Sequence, residues 1–181
     1  MLKKIVGSMA LAITALVAVT SLAHADALDD IKKAGKIRIA IDLGVPPYGM
    51  TDDKMQPAGL DVEVAKLLAK DWGLEFEHVP TTGASRIPAL QTGKADLVIS
   101  SLSYTAERAK VIDFSLGYAV LRTVIAAPKS VALKSMADLD GKTVATVRGT
   151  THDTQLTKEG PKGMRSRARF SVSSRSLIQA P

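Results

Sequence analysis

The chain has 181 residues, no cysteine, and 24 basic against 18 acidic side chains. Without cysteine there are no disulfides and no thiol to carry an export lipid. The formal net charge of +6 does not mark a nucleic-acid binder: residues 26–164 hold equal numbers of both signs, 18 of each, whereas a nucleic-acid surface carries its excess on the folded body. Three Phe, three Tyr and one Trp are too few for a base-stacking platform.

The N-terminus reads as a secretory signal. Lys3 and Lys4 precede an uncharged apolar run from Ile5 to Leu22, and Ala23-His24-Ala25 is the small-residue pattern at which signal peptidase cuts. Cleavage after Ala25 would leave a periplasmic chain beginning at Asp26. Leu28, Ile31 and Ala34 then suggest a short helix stopped by Gly35. Ile37–Ile41 is β-branched and reads as a strand, and Val45-Pro46-Pro47-Tyr48-Gly49 as a loop. A second helix opens at Gly59, with apolar positions Leu60, Val64, Leu67, Leu68 and Trp72, and ends at Gly73.

The pattern then repeats. Leu74–Val79 reads as a strand, Ser85 as the cap of a helix reaching Leu90, and Asp96–Ser100 as a buried strand. Thr105 is placed to cap a helix over Ala106–Val111. Alternating strands and helices predict an α/β fold with a mainly parallel sheet. In such sheets ligands bind at the carboxyl ends of the strands, here Asp42–Tyr48, Pro80–Arg86 and Ser100–Arg108. Further on, Tyr118–Ala127 reads as a strand leaving the first lobe. Ser135–Leu139 reads as a helical turn, Lys142–Val147 as a strand, and His152–Lys158 as a helix. Residues 165–181 hold four Arg, five Ser and no acid; they read as a disordered, out-of-frame tail.

Few residues offer chemistry of their own. His24, His78 and His152 have no partners at metal-ligand spacing, and neither a nucleophile motif nor a phosphate loop is present, so no catalytic residue, metal or cofactor is expected. The suggestive groups suit an α-amino acid. A carboxylate wants a bidentate guanidinium with short donors near a helix start, and Arg108 with Ser103 offers that package. An Arg on a solvated helix paired with Glu107 would look the same. Gly149-Thr150-Thr151 offers close backbone approach and two hydroxyls, although an ordinary helix cap shares the pattern.

Four stretches in register carry a resemblance: Gly59–Ala65, Arg86–Asp96, Ser100–Arg108 continuing to Asp113-Phe114-Ser115, and Val147–Thr151. Together they resemble family 3 of the bacterial extracellular solute-binding proteins, the amino-acid-binding subunits of ABC importers. The resemblance implies the type II periplasmic-binding-protein fold, two α/β lobes closing on a ligand. Lobe one would span residues 26–120 and a partial lobe two residues 121–164. It implies that Arg108 clamps the α-carboxylate with Ser103 and the Thr150–Thr151 region, and that Ser101 accepts from the α-ammonium. It places Asp42 and Tyr48 at the cleft. Arg86, 22 residues before Arg108, stands where relatives that take acidic amino acids meet the side-chain carboxylate, which favours a polar or acidic ligand. The implied partners are an amino acid and a membrane permease, with the binding subunit itself a monomer. Relatives continue for roughly another 70–90 residues, so the expectation is a truncated copy with affinity far below an intact relative's. Two alternatives stand beside this reading: an exported dehydratase of prephenate-like acids on the same fold, or a fragment without function.

Overall fold

The computed structural model describes residues 27–169. The expected signal peptide and residues 170–181 of the tail lie outside that range. Helix α1 (Ala27–Ala34) belongs to a first unit ending at Gly35, which stops the helix with a positive φ of 69°. Everything below concerns the second unit, from Lys36 onward.

Strand β1 (Lys36–Ile41) sits at the centre of a three-stranded parallel sheet, between β4 (Glu75–Pro80) and β5 (Leu97–Val98). Ile39 faces His78 on one side and Leu97 on the other. Being central, β1 is covered on both faces, and Ile37, Ile39, Ala40 and Ile41 are all fully buried. Strand β5 is shorter than the expected Asp96–Ser100. Main-chain bonds from Asp96 to Arg38 (2.8 Å) and from Ile99 to Ala40 (3.2 Å) nonetheless carry the ladder across the whole segment. Strands β2 (Met50–Thr51) and β3 (Pro57–Ala58) form a small antiparallel pair after the 45–49 loop.

Helix α2 (Leu60–Asp71) crosses back over the sheet between β1 and β4. Its buried residues are Asp61, Val62, Ala65 and Ala69; of the expected positions Val64 and Leu68 are half-buried, while Leu60, Leu67 and Trp72 are exposed. Small residues let the helix axis approach the sheet closely, which places the larger ones on the flank. Its first turn is satisfied by the 45–49 loop: Leu60 and Asp61 donate their N–H groups to the carbonyls of Pro47 and Tyr48 at 3.1 and 2.8 Å. Gly59 has φ 106° and lies against those same two carbonyls, so a side chain there would overlap them.

Helix α3 (Arg86–Gln91) follows Ser85, but the Ser85 hydroxyl does not cap it. The oxygen instead accepts from the Thr82 N–H at 2.9 Å, knitting the 81–85 loop together. The helix expected over Ala106–Val111 is reduced to a 3-10 turn at Arg108–Lys110. Ala106, Ala109 and Lys110 are exposed, and without a buried face a short helix has little to stabilise it. Thr105 does cap the turn, accepting from the Arg108 N–H at 3.1 Å.

Tyr118–Ala127 is not a strand. It has no ladder partner among the described residues, and Val120 is 95% exposed. β-Branched composition alone does not make a strand; hydrogen-bonding neighbours do. Farther on, Ser135 and Asp138 form a reciprocal capping box on the Met136–Leu139 turn. Strand β6 (Thr143–Val147) leads into helix α4 (Thr151–Glu159), with Leu139 and Leu156 buried nearby. The tail expectation fails for its first five residues. Arg165–Arg169 form strand β7, parallel to β6 with Thr143 opposite Arg165. An Arg/Ser-rich edge strand needs only main-chain pairing and a wet outer face, so composition did not betray it.

One polar cluster fastens the β1–β5 edge. Asp96 accepts from the Arg38 main-chain N–H (2.8 Å) and twice from its guanidinium (3.1 and 2.6 Å), while Arg38 also reaches the Gly93 carbonyl at 2.7 Å. Burial pushes the Asp96 carboxyl up, but the hydrogen bonds and charge of Arg38 outweigh it and hold the pKa below the ordinary value. A carboxylate with a depressed folded-state pKa contributes stability above its unfolded pKa, and that contribution is lost as pH falls through the folded value. Urea unfolding midpoints should therefore drop below about pH 4. Asp96→Asn should lower stability at pH 7 by about 2 kcal/mol and flatten that acid slope. An unchanged slope in Asp96→Asn would contradict the assignment.

Candidate functional site

The carboxyl ends of β1 and β5 meet the starts of α3 and α4. The parallel topology brings them together, because each strand runs out at the same edge of the sheet and each following segment turns there. Asp42 directly follows β1, is 7% exposed, and donates its main-chain N–H to the Ser100 hydroxyl at 2.8 Å. Its carboxylate accepts from the Gly44 N–H at 2.9 Å.

Arg86 opens α3 and lies buried beneath the site. Its guanidinium donates to main-chain carbonyls of Gly83 (3.2 Å), Ser100 (2.8 Å), Ser101 (3.4 Å) and Gly149 (3.4 Å). Burial, reinforced by the charge of Arg108, lowers its pKa to about 10, while the carboxylates of Asp42 and Asp61 pull the other way. It stays charged at neutral pH.

Arg108 is half-buried, and burial lowers its pKa as well. It donates to the Ser103 carbonyl at 2.7 Å and to the Gly149 carbonyl at 3.0 Å. Ser103 is thus within reach, through its main chain. Glu107 is not the partner of Arg108; it pairs with Lys158 at 3.3 Å. Arg108 therefore bridges the loop after β5 and the turn before α4.

Gly149 makes that bridge possible. It has φ 78°, and an added Cβ would come within 2.8 Å of the Ala84 Cα and of the Gly83 carbonyl oxygen. Across the seam, a Cβ on Gly83 would meet the Arg148 carbonyl at 3.0 Å. Two glycines facing each other thus let main chain lie on main chain. Thr150 beside them is the N-cap of α4, its hydroxyl accepting from the Asp153 N–H at 3.3 Å and donating to the Val147 carbonyl at 2.7 Å. Thr151 begins the helix and is half-buried.

Ser101 is held in a left-handed conformation, φ 48°. Its hydroxyl donates to Asp61 Oδ2 at 3.0 Å, and the Tyr118 hydroxyl donates to Asp61 Oδ1 at 2.8 Å. Burial, then the bond and charge of Asp61, raise the Tyr118 pKa. With its one proton committed, the Ser101 oxygen can only accept from a further partner. Asp61 is 2% exposed and is the residue that sequence reasoning missed as part of the site. An acid in the first turn of a helix reads as an ordinary dipole partner, and its contacts lie 40 and 57 residues away. Tyr48 is half-buried, and its main chain serves α2. The structure thus gathers Asp42, Arg86, Ser101, Ser103, Arg108 and Thr150 around one strand-end edge. Arg86, however, is spent on main-chain carbonyls.

Two guanidinium groups, oriented hydroxyls and a helix start thus lie together at the ends of parallel strands, in an α/β chain of the periplasmic-binding-protein class. Residues 37–167 match the family described as bacterial extracellular solute-binding proteins, family 3, and the chain belongs to that family. It is 29% identical over 154 residues to the L-cystine-binding protein TcyJ of Escherichia coli (strain K12), covering 84% of this chain and 58% of that protein. It is 31% identical over 147 residues to the glutamine-binding protein of Geobacillus stearothermophilus, covering 77% and 55%. Among solved structures it is similar to the ancestral amino-acid-binding protein AncCDT-1, a precursor of cyclohexadienyl dehydratase. The TM-score there is 0.74 and the identity 39%, covering 78% of this chain and 64% of that one. The fold is therefore the type II periplasmic-binding-protein fold, and the chain spans a little over half the length of the curated relatives it matches.

Proposed function

We propose that the chain captures an amino acid outside the cytoplasm, after cleavage behind Ala25, and presents it as a monomer to the permease of an ABC importer. The observation that carries this reading is Arg108, whose guanidinium spans from the Ser103 carbonyl to the Gly149 carbonyl. Both partners are neutral. An α-carboxylate arriving there would add a full opposite charge and two parallel acceptors that fit the guanidinium fork, and would replace them. Ser101, with its proton given to Asp61, would accept from the α-ammonium. The Thr150–Thr151 helix start would face the carboxylate, with Asp42 and Tyr48 on the first-lobe side and Arg86 supporting the floor. The ligand is a polar or acidic amino acid, and no catalytic step is needed. A dehydratase would need a free acid or base in the cleft, whereas Asp61 gives both carboxylate oxygens to hydroxyl donors and Asp42 accepts from Gly44.

Ligand-observed NMR with each of the twenty amino acids tests the reading. Saturable binding of at least one amino acid, lost in Arg108→Ala, is expected; no saturable binding to any of them would contradict it.

A further inference from the structure

The charges at the strand-end edge already cancel. Asp42, Asp61 and Arg86 are buried and Arg108 is half-buried, two of each sign. Asp42, Asp61 and Arg108 all act electrostatically on Arg86, so the four form one interacting set. A zwitterion with an uncharged side chain leaves that balance at zero. An acidic side chain adds a negative charge, and it needs a cation with donors to spare. Arg86 stands at the right place in the sequence for that task, yet its donors meet four main-chain carbonyls, those of Gly83, Ser100, Ser101 and Gly149. Freeing it would take the guanidinium from the carbonyls of Gly83, Ser100 and Ser101, which hold the loop, and leave Gly149 to Arg108 alone. Of Arg86 and Arg108, it is Arg108 that makes an exposed bond, and the α-carboxylate claims it. Arg148 is exposed and screened by water.

We propose that the site selects an amino acid with an uncharged polar side chain and discriminates against its acidic isostere, with Arg86 acting as a positioning residue that fixes the Ser100–Ser101 and Gly149 carbonyls. This rests on the amino-acid-capture reading above and narrows its ligand class. The mechanism is desolvation without compensation: the extra carboxylate would be taken from water into a site whose cations are already neutralised.

The test uses the 181-residue protein and ligand-observed NMR at pH 7 with the isosteric pairs L-glutamine and L-glutamate, L-asparagine and L-aspartate, and with L-arginine as a cationic control. An uncharged member is expected to bind at least about tenfold more tightly than its acidic partner and than L-arginine. Asp42→Asn keeps the acceptor for the Gly44 N–H but removes one negative charge. It should move the acid-to-amide affinity ratio toward the acid by about threefold or more. Equal affinities within the pairs, tighter binding of the acids or of L-arginine, or an Asp42→Asn ratio unchanged from the parent would each overturn the inference while leaving amino-acid capture standing. Failure of all twenty amino acids to bind would overturn the capture reading, and this inference with it.

Discussion

Replacing Arg108 by alanine is expected to abolish amino-acid binding, a loss on the order of 2–5 kcal/mol in affinity. The argument is one of partners. The guanidinium is the charged group of the site that bonds outward, reaching the exposed Gly149 carbonyl at 3.0 Å. Removing it would leave an incoming carboxylate with hydroxyl and main-chain donors but no counter-charge, in a place where water is partly excluded. Arg108→Lys is expected to recover only part of the affinity, because an ammonium cannot present two parallel donors to a carboxylate. Titration calorimetry with the tightest-binding amino acid reads the effect directly. Affinity within twofold of the parent would remove Arg108 from the site.

Arg86→Ala is expected to act chiefly on stability, lowering it by on the order of 3–5 kcal/mol. The carbonyls of Gly83, Ser100 and Ser101 lose their arginine donor, Gly149 keeps only Arg108, and Ser101 is the left-handed residue whose hydroxyl faces Asp61. The carboxylates of Asp42 and Asp61 also lose the cation beside them. Urea unfolding followed by far-UV circular dichroism measures the change. A loss under about 1 kcal/mol, joined to a selective drop in affinity for acidic amino acids, would return Arg86 to the role of a ligand contact.

These two arginines show where sequence reasoning reaches and where it stops. The Arg108 motif is legible because a strand end, a cap and an arginine follow one another within nine residues, and local order fixes local geometry. Arg86 was legible as a strand-end residue but not as a structural one. Its acceptors are carbonyls, which every residue has and which no sequence pattern marks. Asp61 and Tyr118 are similar: their pairing spans the chain and is set by how α2 lies on the sheet. That in turn depends on Ala65 and Ala69 bringing the helix close. Strands β1, β4 and β6 and helices α2 and α4 were visible from composition and glycine punctuation. The apolar segment 118–127 was misjudged because strand propensity says nothing about whether a neighbouring strand is there to receive it. Strand β7 was misjudged for the converse reason, since its pairing with β6 is carried by main chain whatever the side chains are.

The proposed capture places an amino acid where β1 and β5 end and α4 begins. Backbone amide chemical-shift mapping of the uniformly labelled protein, titrated with the tightest-binding amino acid, tests it most directly. The largest shifts are expected at Asp42–Gly44, Ser100–Arg108 and Gly149–Thr151, with the amides of Glu63–Asp71 on the outer turns of α2 little changed. Shifts concentrated on α2 or on β6 and β7, with the three strand-end segments silent, would contradict the account.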